Sequence, residues 1–353
     1  MKWTQKLKSD KRLQWAIVGG LAILVIVLFF VCLFVGSAQM SVKDCFDALA
    51  GKSTPAFNRI IHHIRLPRVI AALVAGAGLA IAGLIMQTTL GNSMASPGTL
   101  GVSNAAVFGA NLSMIAFAGG FLTVGKNLSD AIKGVNPFAV SAVAFAFAIG
   151  SVLLILGLSR IRHFSSNTIV LAGIALGAVW TAGTTLLQFY ATDVGISAAV
   201  VWSFGDLGRA TMTQDYILIG VVGASFVAFW LLSWRYNALL GGDSVAKSVG
   251  VNVTALRLCS LLLASLITAV CVSFLGVIGF VGIICPHVVK RLLGSNHVVT
   301  IPASLLTGSL LLLTADALSR TVGGGSALPV GAITSLLGAP FFLVMLLSAK
   351  ERR

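Results

Sequence analysis

The sequence predicts an all-α integral membrane protein with about ten transmembrane helices. Of the 353 residues, 57% are hydrophobic and only 10% are charged, whereas about 25% of the residues in a typical soluble domain are charged. Apolar runs long enough to cross a bilayer recur along the whole chain. Glu351 is the only glutamate, so too few charges exist to cover a soluble surface and the apolar excess has to face lipid.

Ten apolar runs have spanning length. Their approximate ranges are 15–36, 68–90, 98–119, 137–159, 167–190, 214–233, 255–275, 277–294, 301–318 and 329–348. An even number of helices places both termini on one side. Lys2, Lys6, Lys8, Lys11 and Arg12 precede the first run, and Lys and Arg collect on the cytoplasmic side of membrane proteins. We therefore expect both termini in the cytoplasm.

The chain is organised as one transmembrane domain over residues 1–353. Within it we expect a cytoplasmic N-terminal tail at 1–14, an extracytoplasmic loop at 37–66 and a cytoplasmic segment at 234–254. The first apolar core is too long for a cleaved signal peptide and suits a spanning helix. Topology and anionic lipid head groups account for the net charge of +14, so no nucleic acid partner is expected.

No group of residues is spaced for catalysis or metal binding. AGKST at 50–54 resembles the end of a phosphate-binding loop, but Phe46 stands where that loop requires glycine. The five cysteines show no CxxC spacing. The adjacent His62 and His63 have no carboxylate or third histidine near them in sequence. We expect no enzymatic activity, no metal and no cofactor on this chain.

A secondary active carrier is the alternative from another class. Proton-coupled carriers normally need an ionisable relay within the membrane. No predicted helix centre carries a carboxylate, and Asp316 lies near an outer helix end, four residues before Arg320. The i,i+4 spacing predicts that these two side chains pair. The sequence thus disfavours a carrier, and energy has to enter from a partner.

Glycines are frequent inside the predicted helices, as at Gly76, Gly83 and Gly282. They either let helix backbones pack closely in lipid or keep a route open with small side chains. The segments AGLIMQ (82–87) and VGIICP (281–286) are similar, as in transporters built from repeated halves, but this match alone does not establish a repeat.

Three arginines lie at predicted outer helix ends: Arg65, Arg68 and Arg320. They are either anchors that reach the lipid head groups or a docking site for an acidic protein, since guanidinium groups pair with carboxylates in a bidentate manner.

The stretch YNALLGGDSVAKSVGVNV, residues 236–253, predicts a short cytoplasmic helix. Asp243 suits its N-cap, and Gly250 suits the position after its C-terminus. One apolar face is predicted to contain Val245, Ala246 and Val249. Helices that lie on membranes are usually rich in cations, and this one has only Lys247. A protein partner is therefore favoured over lipid.

Seven motifs, in order, resemble the FecCD family of ATP-binding-cassette (ABC) importer permeases, which carry iron chelates, haem and vitamin B12. The motifs are RLPRVIAALVAGAGLAIAG (65–83), SPGTLGVS (96–103), LAGIALGAV (171–179), GGDSVAKSVGVNV (241–253), GVIGFVGIICPHVVKRLLG (276–294), ADALSRTV (315–322) and LPVGAITSLLGAPFF (328–342). The resemblance runs from about residue 58 to residue 349, and the shared order makes it specific.

The resemblance implies a ten-helix subunit that dimerises, with an identical chain or a paralogue, around a central pathway in the bacterial cytoplasmic (inner) membrane. A cytoplasmic ABC ATPase dimer, which holds ATP and Mg²⁺, binds one face. An extracytoplasmic substrate-binding protein delivers substrate to the other. A ferric siderophore is the first choice of substrate because iron chelates dominate the family, with haem and cobalamin as alternatives for the same machine.

The resemblance also implies roles for three sets of residues. The ATPase-coupling helix corresponds to Gly242, Asp243, Ser244, Val245, Ala246, Lys247, Val249 and Gly250. The arginines that meet acidic residues of the binding protein correspond to Arg65, Arg68 and Arg320. The cytoplasmic gate corresponds to Asn92, Ser93, Met94, Ser165, Ser166 and Asn167. This chain departs from the family pattern at Ser244, where a second acid is usual, and in NSMASP, where the family usually has NPLADP.

Overall fold

The computed structural model describes residues 10–36, 40–117, 137–161, 166–322 and 327–350. Within these ranges the chain forms α-helices and no β-strand, which confirms the all-α membrane class. Seven of the described helices are long and apolar enough to cross a membrane.

The first half of the chain contains α1 (Lys11–Phe34), α2 (Val42–Leu49), α3 (Pro55–Ile60), α4 (Leu66–Thr89), α5 (Val102–Asn111), α6 (Pro137–Ile161) and α7 (Ser166–Phe189). Two π-helical turns, Ile61–Arg65 and Leu112–Phe117, lead into α4 and extend α5. The second half contains α8 (Asp193–Ser203), α9 (Met212–Leu231), α10 (Ser233–Leu239), α11 (Asp243–Ser248), α12 (Val253–Leu275), α13 (Val281–Leu293), α14 (His297–Val322) and α15 (Val330–Lys350).

Each predicted apolar run contains a helix, but two of the helices are shorter than expected. In run 98–119, α5 begins only at Val102, because Gly101 adopts a left-handed conformation with φ +70°. In run 277–294, α13 begins only at Val281, because Phe280 is left-handed with φ +66°. Such backbone turns interrupt a helix without interrupting an apolar sequence.

Besides the short helices α10 and α11 in the predicted segment 234–254, three described helices lie outside the predicted runs. The short α2 and α3 occupy the predicted loop 37–66, and α8 follows α7 as an additional apolar helix. The first helix begins at Lys11, within the predicted tail, because the Asp10 carboxylate accepts a hydrogen bond from the Arg12 backbone amide and so caps the helix.

The fourth helix is the centre of the bundle. Nearly every residue of α4 from Pro67 to Thr89 is buried, and the helix packs against α9, α12, α13 and α14. By contrast, only 22% of the apolar window of α1 and 17% of that of α7 is buried. A residue that contacts α4 is therefore connected, through the packing of α4, to the helices α9, α12, α13 and α14.

Glycines allow the close packing of α4. A methyl group on Gly76 would overlap the carbonyl group of Gly308, and one on Gly83 would overlap the carbonyl group of Gly282. Only residues without a side chain let two helix backbones approach so closely. The packing interpretation of the glycines is confirmed at both contacts. The second contact also brings the two similar segments, 82–87 and 281–286, against each other.

Candidate functional site

Both ends of α4 carry polar contacts. We call the surroundings of Arg68 the arginine end and the surroundings of Thr89 the coupling end. An α-helix rises about 1.5 Å per residue, so these residues lie roughly 30 Å apart along the axis. That distance equals the hydrocarbon thickness of a typical bilayer, so the two ends suit opposite membrane faces.

At the arginine end, Asp316 is fully buried and pairs with two arginines. Arg68 Nε donates to Asp316 Oδ1 at 2.6 Å, and Arg320 Nη2 lies 2.8 Å from Oδ2. The pair with Arg320 confirms the i,i+4 prediction. Arg68, from a distant part of the sequence, is a second partner that the spacing did not indicate. The arginine side chains are only 11% and 8% exposed, so this is a buried charge cluster.

Two of the arginines also close the C-terminus of α1. Their acceptors are four consecutive carbonyl groups. Arg65 Nη1 donates to Leu33 at 2.9 Å and Phe34 at 3.0 Å, and Arg320 Nη1 donates to Cys32 at 2.9 Å and Val35 at 2.7 Å. The last carbonyls of a helix lack partners within it, and cations there are favoured by the helix dipole. The three predicted docking residues are thus brought together, with partners inside the chain.

Exposed cations stand at the same end, on the segment that contains α2 and α3. They are Lys43, Lys52 and Arg59. His62 Nε2 donates to the carbonyl oxygen of Ala48 at 3.0 Å and ties this segment together. Burial raises the pKa of the Cys45 thiol, which lies beside Arg65. The surface of the arginine end therefore carries three exposed cations and the partly exposed Asp44 and Asp47, above a buried cluster.

At the coupling end, α11 is the short helix that the sequence predicts, with one difference at its start. Gly242, with φ +97°, occupies the N-cap, so the prediction that Asp243 is the N-cap was wrong. Glycine reaches this conformation at no steric cost, and Asp243 moves into the first turn. Gly250 is left-handed, with φ +85°, and ends the helix as predicted.

The predicted apolar face of α11 is divided. Ala246 is fully buried against the rest of the chain, whereas Val245 and Val249 are 49% and 56% exposed. Residues four apart lie on one helix face, and Ala246 is turned away from it. The flanking predicted residues are also exposed: Gly242, Asp243, Ser244, Lys247 and Gly250. The outward surface is thus two valines framed by polar groups.

Arg257 holds the inner side of α11. It donates to both carboxylate oxygens of Asp243, at 2.9 and 2.7 Å, and through Nε to the Thr89 carbonyl oxygen at 2.7 Å. The sequence analysis missed this residue. Its position near the start of α12, shortly after a short helix that contains Asp243, was the available signal.

The predicted gate residues Asn92, Ser93 and Met94 directly follow α4. The Asn92 side chain accepts a hydrogen bond from the Met94 amide at 2.9 Å, and Ser93 and Met94 are exposed. Ser165 lies outside the described residues, as do the side chains of Ser166 and Asn167. That the loops 92–94 and 165–167 meet to form a cytoplasmic gate therefore stays a prediction.

The sequence pattern of the FecCD transport family matches residues 24–348. The chain belongs to the FecCD transport family. It is 41% identical over 348 residues to an ABC transporter permease protein of Methanocaldococcus jannaschii, covering 98% of each chain. It is 34% identical to the hemin transport system permease HmuU of Yersinia pestis, covering 93% of this chain and 96% of that one.

A third relative of this FecCD chain is the iron(3+)-hydroxamate import permease FhuG of Bacillus subtilis, 32% identical with 98% and 99% of the two chains covered. A solved inward-facing metal-chelate type ABC transporter has a TM-score of 0.79 and 26% identity, covering 94% of this chain and 99% of that one. The FecCD chain is therefore a multi-pass inner-membrane permease subunit of an ABC importer of the metal-chelate class.

The FecCD chain has a groove between α5 and α7, about 530 Å³ in volume. Its walls are small side chains, among them Gly101, Gly173, Gly177, Ala178 and Thr181. Gly101 packs so closely that a methyl group there would lie 2.9 Å from the carbonyl oxygen of Gly173. Small residues therefore both join the two helices and leave open space beside them.

Asp215 is a second buried carboxylate, and the sequence analysis did not single it out. It lies in the first turn of α9, is fully buried, and neither of its side-chain oxygens has a hydrogen-bond partner among the described residues. The sequence analysis named only Asp316 as a candidate acid and did not consider Asp215, at the start of the predicted run 214–233.

Proposed function

We propose that this chain is the subunit through which a ferric siderophore crosses the inner membrane, with alternating access driven by ATP hydrolysis on a partner. The observation that carries the proposal is α11. It presents Val245 and Val249 outward while Arg257 holds its inner side to the end of the central helix. A short helix of this kind suits a motor that lies outside the chain.

The exposed valines of α11 are proposed to enter a groove on a cytoplasmic ABC ATPase dimer. Burying two half-exposed valines there is favourable, at about 25 cal/mol per Å² of apolar area. ATP and Mg²⁺ are bound by that partner, and this chain supplies neither a cofactor nor catalysis. ATP then moves the permease only through contacts that differ between two states.

An acidic extracytoplasmic binding protein is proposed to dock at the arginine end. Lys43, Lys52 and Arg59 are exposed there and would attract it, since complementary charge speeds encounter and fixes orientation. Arg68 and Arg320 share a single acid, Asp316, and Arg65 is bound to the α1 carbonyl groups. A carboxylate of the binding protein would compete with Asp316 and with the α1 carbonyls for these guanidinium groups.

A second permease chain, identical or paralogous, is proposed to cover α7. Large apolar side chains on this helix are exposed, among them Leu171, Ile174, Val179 and Leu186. The groove beside α7 is lined by small residues, which suits a wide substrate passing between two chains.

A metal chelate is favoured as substrate because relatives are named for hemin and iron(3+)-hydroxamate transport. Haem and cobalamin are the alternatives for the same machine. A secondary active carrier is the alternative of another class. Asp215 is the observation in its favour, since a buried carboxylate with no hydrogen-bond partner among the described residues is suited to holding a proton.

The deciding experiment is uptake by cells that lack this gene. Iron is supplied as labelled siderophore complexes or haem, and cobalamin is labelled separately. Selective loss of siderophore uptake, restored by the wild-type gene, supports the proposal. Loss of haem or cobalamin uptake alone changes the substrate and keeps the machine.

A double variant, Asp243→Asn with Val245→Ser, tests the coupling role in the same cells. It should abolish uptake while the chain remains folded in the membrane. Val227→Ser is the matched control, because Val227 is an exposed valine on α9, outside the surfaces assigned to partners. Full uptake by the double variant contradicts the role of α11, and uptake that persists without the partner ATPase favours the carrier.

A further inference from the structure

The last turn of α4, Gln87–Thr89, has contacts to three different elements. Thr89 is bound through its carbonyl oxygen by Arg257 of α12 at 2.7 Å. Arg257 in turn holds Asp243 of α11 through two bonds, at 2.9 and 2.7 Å. This bidentate geometry fixes the carboxylate relative to the guanidinium plane. One rigid connection therefore runs from α11 to Thr89.

A second connection ends on the neighbouring residue. Thr88 Oγ1 and His297 Nε2 are hydrogen-bonded at 2.8 Å. The backbone amide and Nδ1 of His297 lie 2.8 and 2.9 Å from Asn237 Oδ1. Asn237 belongs to α10, which leads into α11. His297 is fully buried, so this connection passes through the interior.

Gln87 anchors the same turn to α13. Its Nε2 donates to the Gly282 and Ile283 carbonyl oxygens, both at 3.4 Å, and Lys290 Nζ donates to its Oε1 at 3.2 Å. Two connections thus lead to the segment around α11, and the third leads to a helix that packs on α4 at Gly83.

The loop after α4 is attached to the same turn. The Asn92 amide donates to the Gln87 carbonyl oxygen at 3.1 Å, and the Gly91 amide donates to that of Thr88 at 3.3 Å. The Thr88 side chain therefore binds the connection from α10 and the Gln87 side chain binds α13, while the carbonyl groups of both residues hold the loop Gly91–Met94.

We propose that Gln87–Thr89 is a relay that passes the movement of α11 to the loop Gly91–Met94, with Arg257 as its positioning residue. The proposal rests on the proposed function and adds the route from the ATPase contact to the gate. Coupling passes only through contacts that differ between two states. We expect the Arg257–Asp243 pair to be such a contact, because the Asp243 side chain is 47% exposed at the coupling surface, where the partner reaches it.

The test uses the complete transporter, with this chain copurified with its ATPase and reconstituted in vesicles. ATP hydrolysis and chelate transport are measured separately. Arg257→Lys keeps the charge, but a single ammonium nitrogen cannot reproduce the planar fork in which Nη1 and Nη2 bind Asp243 while Nε binds the Thr89 carbonyl group. We expect the ATPase to copurify and hydrolyse ATP, while transport per ATP falls at least fivefold, the lower range of measured coupling effects.

A charge swap separates a relay from a simple surface ion pair. Asp243→Arg combined with Arg257→Asp restores opposite charges but leaves no donor for the Thr89 carbonyl group. We expect this double variant to remain uncoupled. Arg235→Lys is the matched control, because Arg235 is exposed in the same segment and stacks on Trp234; it should transport normally.

Loop position gives a second readout. Met94→Cys, in a chain with Cys259→Ser, is labelled by a thiol reagent with and without vanadate-trapped ATPase. Labelling should change on trapping with Arg257 present and stay constant in Arg257→Lys.

Any of three results overturns the relay. The first is normal transport per ATP in Arg257→Lys, and the second is recovery of coupling by the charge swap. The third is loss of ATPase copurification in Arg257→Lys, since that loss would assign Arg257 to the docking surface alone. A wild-type complex that transports no chelate refutes the proposed function itself, and the relay with it.

Discussion

Replacing Asp316 by asparagine removes the carboxylate that Arg68 and Arg320 share. Breaking a buried ion pair by removing one partner costs about 3–5 kcal/mol. Arg320 keeps its bonds to the Cys32 and Val35 carbonyl groups, so we expect about 3 kcal/mol, the lower limit of this range. At about 2 °C per kcal/mol for a large chain, Tm falls by roughly 6 °C.

Asp215→Asn is the matched control, because Asp215 is equally buried but has no partner among the described residues. Neutralising it removes a carboxylate whose burial is unfavourable, so Tm should stay constant or rise. Unfolding is followed with a thiol-reactive dye, since Cys32, Cys45, Cys271 and Cys285 are buried. The exposed Cys259 is first replaced by serine. Equal Tm changes in the two variants would refute the reasoning.

Two further predictions concern packing and docking. Gly83→Ala should lower Tm by at least 2 °C, because overpacking costs about 1–3 kcal/mol and the overlapping Gly282 carbonyl group belongs to the backbone. Gly150→Ala is the control and should leave Tm unchanged, because no described atom lies within 4 Å of the added carbon. Equal Tm values for the two variants would contradict the packing role of Gly83. Lys43→Glu with Arg59→Glu should slow association of the binding protein about tenfold at low salt and much less at high salt, measured by surface plasmon resonance. Lys247→Glu, at the coupling end, is the control, and an unchanged rate in the double variant would place docking elsewhere.

The helices could be predicted from sequence because a membrane restricts the alternatives. Backbone polar groups in lipid have to be satisfied within each segment, so a long apolar run becomes a helix whatever its neighbours are. The starts of α5 and α13 could not be predicted, because left-handed residues such as Phe280 leave the apolar pattern unchanged.

The polar clusters were predictable only where their members are close in sequence. Asp316 and Arg320 are four residues apart and pair as expected. The contacts Arg68–Asp316 and Arg257–Thr89 join residues on different helices, and nothing in the local spacing specifies them. The prediction of the α11 N-cap was wrong for a related reason. Asp243 forms an ion pair with Arg257 of the next helix and lies in the first turn of α11, and Gly242 occupies the N-cap.

The central position of α4 has a consequence for synthesis. The glycine contacts that bury this helix are made with Gly282 and Gly308, which leave the ribosome about two hundred residues after α4 itself. Until then α4 has to sit in lipid on its own hydrophobicity, with its glycine face uncovered. Assembly of this bundle therefore finishes by exchanging lipid for protein around a helix that was inserted early, and a chain released before Gly308 leaves its own centre open to quality-control proteases.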